Sequence, residues 1–290
     1  MRRNRDHVAA DHVIATMVMA TCLAASMALW SCSANRAAVD DAHDDPSVNT
    51  AHNREIVCWG DSLTEGFGAG PALIVKDGAS FDASYLSYPE ILEKLTGITT
   101  FNFGVSGATS EEIAYMQGAL QDKLLPDTLE IVDDRVMELG REHTGDVLVL
   151  EIGSNGGWKG DYRTLIEQYR DIIAYAGCDS YIIIGDTDDP GTSIADLGQE
   201  PLPWGQGTSE TTWETTLREA FGDHFINMRV FLIERGLETA GLEPTERDAV
   251  DAARGCISKQ LRSDWTHLNS YGYFAKATAV YEKGQKLGFW

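Results

Sequence analysis

From residue 55 onward the chain alternates short apolar runs with stretches of helical spacing. The runs are Ile56–Trp59, Thr99–Phe103, Val147–Ile152, Tyr181–Ile184 and Phe225–Met228. Those around 149 and 183 are apolar on both alternating faces, as strands covered on both sides are. Between the runs, Tyr88–Leu95 reads as a helix, and Thr109 with Glu112 forms a capping box that opens another. Tyr162, Leu165, Ile166, Tyr169, Ile172 and Ile173 recur at helical spacing, as do Trp213, Leu217 and Phe221, which Gly222 stops. Residues 270–287 form the last helix. The alternation predicts an α/β fold, a doubly wound three-layer sandwich around a five-stranded parallel sheet. Residues 118–142 read two ways: Leu129, Val132 and Val136 suit a helix, and a β-hairpin insertion fits equally well.

The first residues follow a different pattern. Arg2, Arg3 and Arg5 precede Val13–Trp30, a run without a single charge, and Leu29-Trp30-Ser31-Cys32 follows directly. A basic start, an apolar run and a small residue before Cys predict an export signal over 1–31. The ending resembles a bacterial lipoprotein signal, which implies lipidation of Cys32. An uncleaved membrane anchor is the other reading, because 18 apolar residues nearly span a bilayer. Either places the remainder outside the cytoplasm. Residues 32–54 carry Asp40, Asp41, Asp44 and Asp45 without apolar periodicity and read as a flexible acidic tether.

Composition narrows the function classes. An apolar content of 43% excludes wholesale disorder and a multi-span membrane protein. Asp plus Glu exceed Lys plus Arg by 45 to 23, so nucleic acids and anionic lipid surfaces have no general electrostatic attraction here. Neutral or cationic substrates fit better. Beyond the leader lie Cys58, Cys178 and Cys256, with no CxxC pair, so neither a zinc site nor a disulfide framework is signalled. Cys58 reads as a buried strand residue, and a Cys178–Cys256 bond stays open.

Four segments at strand ends carry candidate chemistry. Gly60-Asp61-Ser62-Leu63-Thr64 follows the first strand, where ligands sit in open α/β sheets. Asn102–Gly107 and Gly153–Gly156 follow the second and third, and offer a glycine N–H and an asparagine amide suited to an oxyanion. Asp264-Trp265-Thr266-His267 precedes the last helix, and a carboxylate three residues before an imidazole can orient it. The other two histidines of this region, His143 and His224, lie in a polar loop and before a strand. Each segment alone is an ordinary cap or turn. All four in this arrangement are much less readily a coincidence.

Gly-Asp-Ser-Leu-Thr at 60–64, Val-Ser-Gly-Ala-Thr at 105–109, Gly-Ser-Asn at 153–155 and Asp-Trp-Thr-His at 264–267 together resemble the blocks of the SGNH (GDSL) hydrolase family. The resemblance spans residues 55–290 and implies a flavodoxin-like catalytic domain. It also implies Ser62 as nucleophile, His267 as base and Asp264 as its orienting acid. The N–H groups of Ser62 and Gly107 and the side chain of Asn155 would form the oxyanion hole. The sequence departs from the family at Gly156, where Asp is usual, which puts the bracing of that loop in question.

No Gly-x-Ser-x-Gly, HExxH, P-loop or GxGxxG occurs, so a nucleophile elbow, a metal and a nucleotide or nicotinamide cofactor all lack a foothold, and no cofactor or metal is expected. Asp186, Asp188 and Asp189 cluster after the fourth strand without EF-hand spacing, which favours a turn over a calcium loop. The expected activity is a serine esterase that deacylates glycans or small neutral esters outside the cytoplasm, held to the membrane by its N-terminal lipid or signal anchor. A non-catalytic surface binding protein and an acyltransferase are the alternatives. Phe67, Phe81, Tyr85 and Tyr88 near an insertion at 66–87, Trp158, and Trp204 in a long loop at 187–212 either stack on a sugar or pack beneath loops.

Overall fold

Successive residues of the central strands enter two different cores. Ile56, Cys58, Val147, Val149, Ile182 and Ile184 face one; Val57, Trp59, Leu148, Leu150 and Ile183 face the other. Strands apolar on both sides require a helical layer on each face. The computed structural model describes residues 54–190 and 205–290. Its first half runs β1 (Glu55–Gly60), α1 (Ser62–Glu65), β2 (Leu73–Lys76), β3 (Ala79–Asp82), α2 (Tyr88–Thr96), β4 (Thr99–Gly104), α3 (Ser110–Gln117), α4 (Asp134–Glu142) and β5 (Val147–Glu151). There follow α5 (Tyr162–Ala176), β6 (Tyr181–Ile184), α6 (Thr212–Phe221), β7 (Phe225–Ile226), α7 (Met228–Phe231), α8 (Leu237–Thr239), α9 (Glu246–Ala253) and α10 (Ser270–Leu287). A π-helical turn, Leu232–Gly236, joins α7 to α8.

The main sheet is parallel throughout, in the order β4-β1-β5-β6-β7. The chain leaves β1 to one side for β4 and to the other for β5, so the end of β1 is the switch point where such sheets open a crevice. The five expected strands and their doubly wound arrangement are present. The predicted capping box holds α3, with Thr109 N donating to Glu112 Oε2 at 2.8 Å and Glu112 N to Thr109 Oγ1 at 3.3 Å. Asn269 caps α10 by accepting from the N–H groups of Tyr271 and Gly272.

Two open readings close and one reading is corrected. Residues 118–142 contain a single 3-10 turn (Pro126–Thr128) and α4, not a hairpin. Asp133 accepts from the N–H groups of Arg135 and Val136 and starts that helix. The hairpin lies earlier, as β2 and β3 within the insertion after Ser62. Met228 begins α7 rather than ending a strand, because the Asn227 side chain caps the helix there by accepting from Val230 N. Cys178 and Cys256 are both free. The predicted export signal, Cys32 and the tether up to residue 53 lie outside the described residues. No helix among the described residues is long and apolar enough to cross a membrane.

Candidate active site

Ser62 stands immediately after β1, at the start of α1. The turn into it is tight. A Cβ on Gly60 would lie 2.0 Å from Thr64 Oγ1 and 2.8 Å from the Glu151 carbonyl, so only glycine fits. Asp61 caps α1 by accepting from Leu63 N at 3.0 Å.

Ser62 Oγ lies 3.0 Å from His267 Nε2, although the two residues are 205 positions apart. His267 Nδ1 lies 2.8 Å from Asp264 Oδ2. The other Asp264 oxygen accepts from the backbone N–H groups of Thr266 at 2.8 Å and His267 at 2.7 Å. Burial pushes the Asp264 carboxyl up, but these N–H groups and the imidazole outweigh it and hold the acid below its usual range. The Phe67 ring packs on the imidazole at 4.5 Å between centroids. The Oδ1 contacts pin the turn, and Oδ2 favours the tautomer with a proton on Nδ1, leaving Nε2 facing the hydroxyl as an acceptor.

Asn155 is tied to both neighbouring segments. Its amide donates to Asp61 Oδ2 at 3.1 Å and to the Ala108 carbonyl at 3.3 Å. Those partners adjoin Ser62 and Gly107 in sequence, so hydrogen bonds tie the Asn155 loop to both segments. Ser154 Oγ also donates to Asp61 Oδ2. Burial raises the Asp61 carboxyl above its ordinary value despite the hydrogen bonds from Ser154 and Leu63. The Gly107 loop is held by Val105 N on the Gly60 carbonyl at 3.0 Å, and by Ser106 N on Glu65 Oε2 at 3.0 Å.

The bracing in question at Gly156 comes from α3. Ser110 N and Oγ donate to the Gly156 carbonyl at 3.0 and 2.9 Å. Gly156 has φ +86°, a backbone state that disfavours a side chain and accounts for the missing Asp.

Beneath the site, Lys276 of α10 is fully buried and donates to Glu151 Oε2. Burial carries the Glu151 carboxyl up to about 7, even against this ammonium. The Tyr88 ring lies 4.7 Å from the Lys276 nitrogen. Sequence reading missed this pair, and missed Asp61, Ser154, Glu65 and Ser110. For Lys276 and Glu151 a signal existed: a charge inside an apolar strand and another on the apolar face of the last helix require each other.

Of the aromatic candidates, Tyr88 and Trp158 are buried and belong to the packing, with Trp158 Nε1 donating to the Gly153 carbonyl at 2.9 Å. Phe81 packs on Phe274. Phe67 and Tyr85 are exposed, and so is Trp265 of the His267 turn. Trp204 lies outside the described residues. His143 stacks on Phe101 and contacts Glu55, while His224 bonds the Tyr181 carbonyl, so neither joins Ser62. In the acidic turn, Asp186 Oδ1 accepts from the N–H groups of Thr187 and Asp188, and Arg262 binds the Thr187 carbonyl and Asp189.

No curated relative matches the chain. Among solved structures it is similar to a member of the lipolytic protein G-D-S-L family from Veillonella parvula, at 17% identity over 79% of this chain and 96% of that one, with a TM-score of 0.46. It is also similar to a family 3 carbohydrate esterase from Clostridium thermocellum, at 15% identity over 81% and 96%, with a TM-score of 0.43. The sequence profile of the GDSL-like lipase/acylhydrolase family matches residues 58–275. A match that runs from β1 into α10 makes the chain a member of that family and an ester-hydrolysing enzyme.

Proposed function

We propose that the enzyme removes short acyl groups from a glycan through Ser62, His267 and Asp264. The observation that carries this reading is the hydrogen-bonded row from Ser62 Oγ through His267 to Asp264, at 3.0 and 2.8 Å. Ser62 Oγ attacks the ester carbonyl as its proton passes to His267 Nε2. The carbonyl oxygen becomes an oxyanion and meets the N–H groups of Ser62 and Gly107 and the Asn155 amide, one hydrogen of which turns to it from Asp61 or Ala108. The departing alcohol takes the proton from His267 and leaves an acyl-enzyme. Water, deprotonated by the same imidazole, then releases the acid and restores Ser62. Asp264 stays ionised and stabilises the imidazolium formed in each half.

A fluorophosphonate probe tests the nucleophile. Labelling of the wild type that vanishes in Ser62→Ala is the expected result. A wild type that takes no label overturns the reading. Acetyl esters should be cleaved faster than long-chain esters, and the reverse order would remove the glycan deacylase version. The N-terminal pattern supports an exported, lipid-anchored enzyme. Incorporation of labelled palmitate that is lost in Cys32→Ala tests that part.

A further inference from the structure

Beside Asp264 lies a pocket of about 490 Å³, within the range that small-molecule sites occupy. Its walls come from the His267 turn, from Asp189 after β6, and from the end of α9 with the segment that follows it. Four cations line it, Arg247, Arg254, Lys259 and Arg262, in a chain whose formal charge is −22. Two acids of the pocket are paired with cations, and the third, Asp264, is hydrogen-bonded to the neutral His267 imidazole. Arg247 Nη2 meets Asp251 at 2.9 Å, Arg262 Nη2 meets Asp189 at 3.1 Å, and His267 meets Asp264 at 2.8 Å. Arg254 and Lys259 are exposed and form no ion pair among the described residues. The lining therefore carries one net positive charge, four cations against three carboxylates, and two of those cations, Arg254 and Lys259, have no ion-pair partner among the described residues.

Its wall is set in advance. The Arg262 side chain is only 6% exposed. It donates to the carbonyls of Thr187, Trp265 and Thr266 at 2.6, 3.0 and 3.3 Å, and its Nε is buried with no partner among the described residues. Trp265 lines the same pocket with its indole 74% exposed, a flat apolar face of the kind on which sugar rings stack. Asp264 belongs both to this pocket and to the row that ends on Ser62. One imidazole and two hydrogen bonds separate the two places, a span that neighbouring sugar rings cover.

The geometry points to an anion subsite that makes this enzyme selective for acyl esters of sugar acids. The carboxylate of a uronic-acid-type residue sits on Arg254 and Lys259, and a ring face lies on Trp265. This rests on the hydrolase reading above and specifies its substrate. It also revises the expectation of a neutral or cationic substrate drawn from net charge. At about 0.15 M salt, charges more than about 8 Å away are largely screened, so contact with two local cations outweighs the acidic surface beyond.

The test compares kcat/KM for an O-acetylated disaccharide methyl glycoside, in which a hexuronic acid neighbours the acetylated ring, with that for its uronamide, which keeps the shape and removes the charge. At low salt the acid should be favoured about tenfold, the scale of two part-exposed charge contacts. The preference should shrink at high salt and approach unity in the R254Q/K259Q variant, whose wild-type melting temperature would show that the fold is kept. Equal rates for acid and amide in the wild type would overturn the inference, as would a preference that survives R254Q/K259Q. Cleavage of neither sugar by a protein whose Ser62 takes the fluorophosphonate would overturn the subsite alone. Absence of both labelling and cleavage would remove the hydrolase reading, and the subsite with it.

Discussion

Asp61 divides its two oxygens between Leu63 and Asn155: Oδ1 accepts from Leu63 N at 3.0 Å and caps the helix that Ser62 begins, and Oδ2 accepts from the Asn155 amide at 3.1 Å. One buried carboxylate thus ties the start of the Ser62 helix to the Asn155 loop, and so the proposed nucleophile to a proposed oxyanion donor. Asp61→Asn keeps a good helix cap. It cannot also keep an acceptor facing Asn155 and Ser154, because one oxygen is replaced by an NH₂. We expect kcat to fall about 10- to 100-fold, a part of the loss typical of deleting an oxyanion donor outright. KM should change little. Steady-state kinetics on an acetyl ester decide it, and a wild-type kcat would separate Asp61 from the placement of Asn155. Asn155→Ala should cost the full 10²–10³ in kcat.

Restoring the family's usual acid at Gly156 should harm this protein. The residue sits at φ +86°, where a side chain costs about 1–2 kcal/mol. Ser110 already supplies the bracing through two hydrogen bonds to the Gly156 carbonyl. Gly156→Asp is expected to lower the urea midpoint and to raise no kinetic constant. A stabilised or faster variant would show that the loop lacks a brace.

Lys276 and Glu151 should behave as a unit. Lys276→Met leaves Glu151 without its counter-charge in a fully buried place, a loss of about 3–5 kcal/mol for such a pair. Glu151→Leu combined with Lys276→Met removes both charges and should recover most of that stability. Urea unfolding of the two single variants and the double variant measures the coupling. A double variant as unstable as the sum of the singles would contradict it.

Asp188 gives stability a dependence on pH. Burial, together with the neighbouring Asp186, raises its carboxyl from an ordinary 3.8 to about 9. The folded protein therefore keeps a proton that the unfolded chain releases, from about pH 4 up to about 9. In that window stability falls as pH rises, and above it this contribution is flat. Asp188→Asn mimics the protonated form and does not titrate. The stability of Asp188→Asn relative to the wild type should increase from pH 5 to pH 9 and then level off. A difference that is constant with pH would mean that Asp188 is ionised throughout.

The sheet was legible because short runs apolar on both faces, such as Val147–Ile152, alternate with stretches of helical spacing, and capping signals such as Thr109 with Glu112 are local. Residues 118–142 stayed ambiguous because their apolar positions are sparse and suit either period. The hairpin at 73–82 escaped notice because only Ile74 of β2 is buried, so the strand shows little alternation. At the site, Ser62 was marked by residue type at a strand end, and Asp264 and His267 by their spacing just before the last helix. The supporting contacts were not. Asp61 to Asn155, Glu65 to Ser106 and Lys276 to Glu151 join segments about 40 to 125 positions apart, and no spacing rule announces them. The pocket beside Asp264 was hidden for a related reason, since total charge averages away a local gathering of arginines.

Ser62 is made early in the chain, while His267 and the helix carrying Lys276 belong to its final stretch. A chain stopped before residue 267 therefore has Ser62 without the imidazole proposed to activate it. On the proposed mechanism, esterase activity is a readout of the docking of the 264–287 segment beside Ser62, and proteolytic loss of Ser270–Leu287 should silence the enzyme.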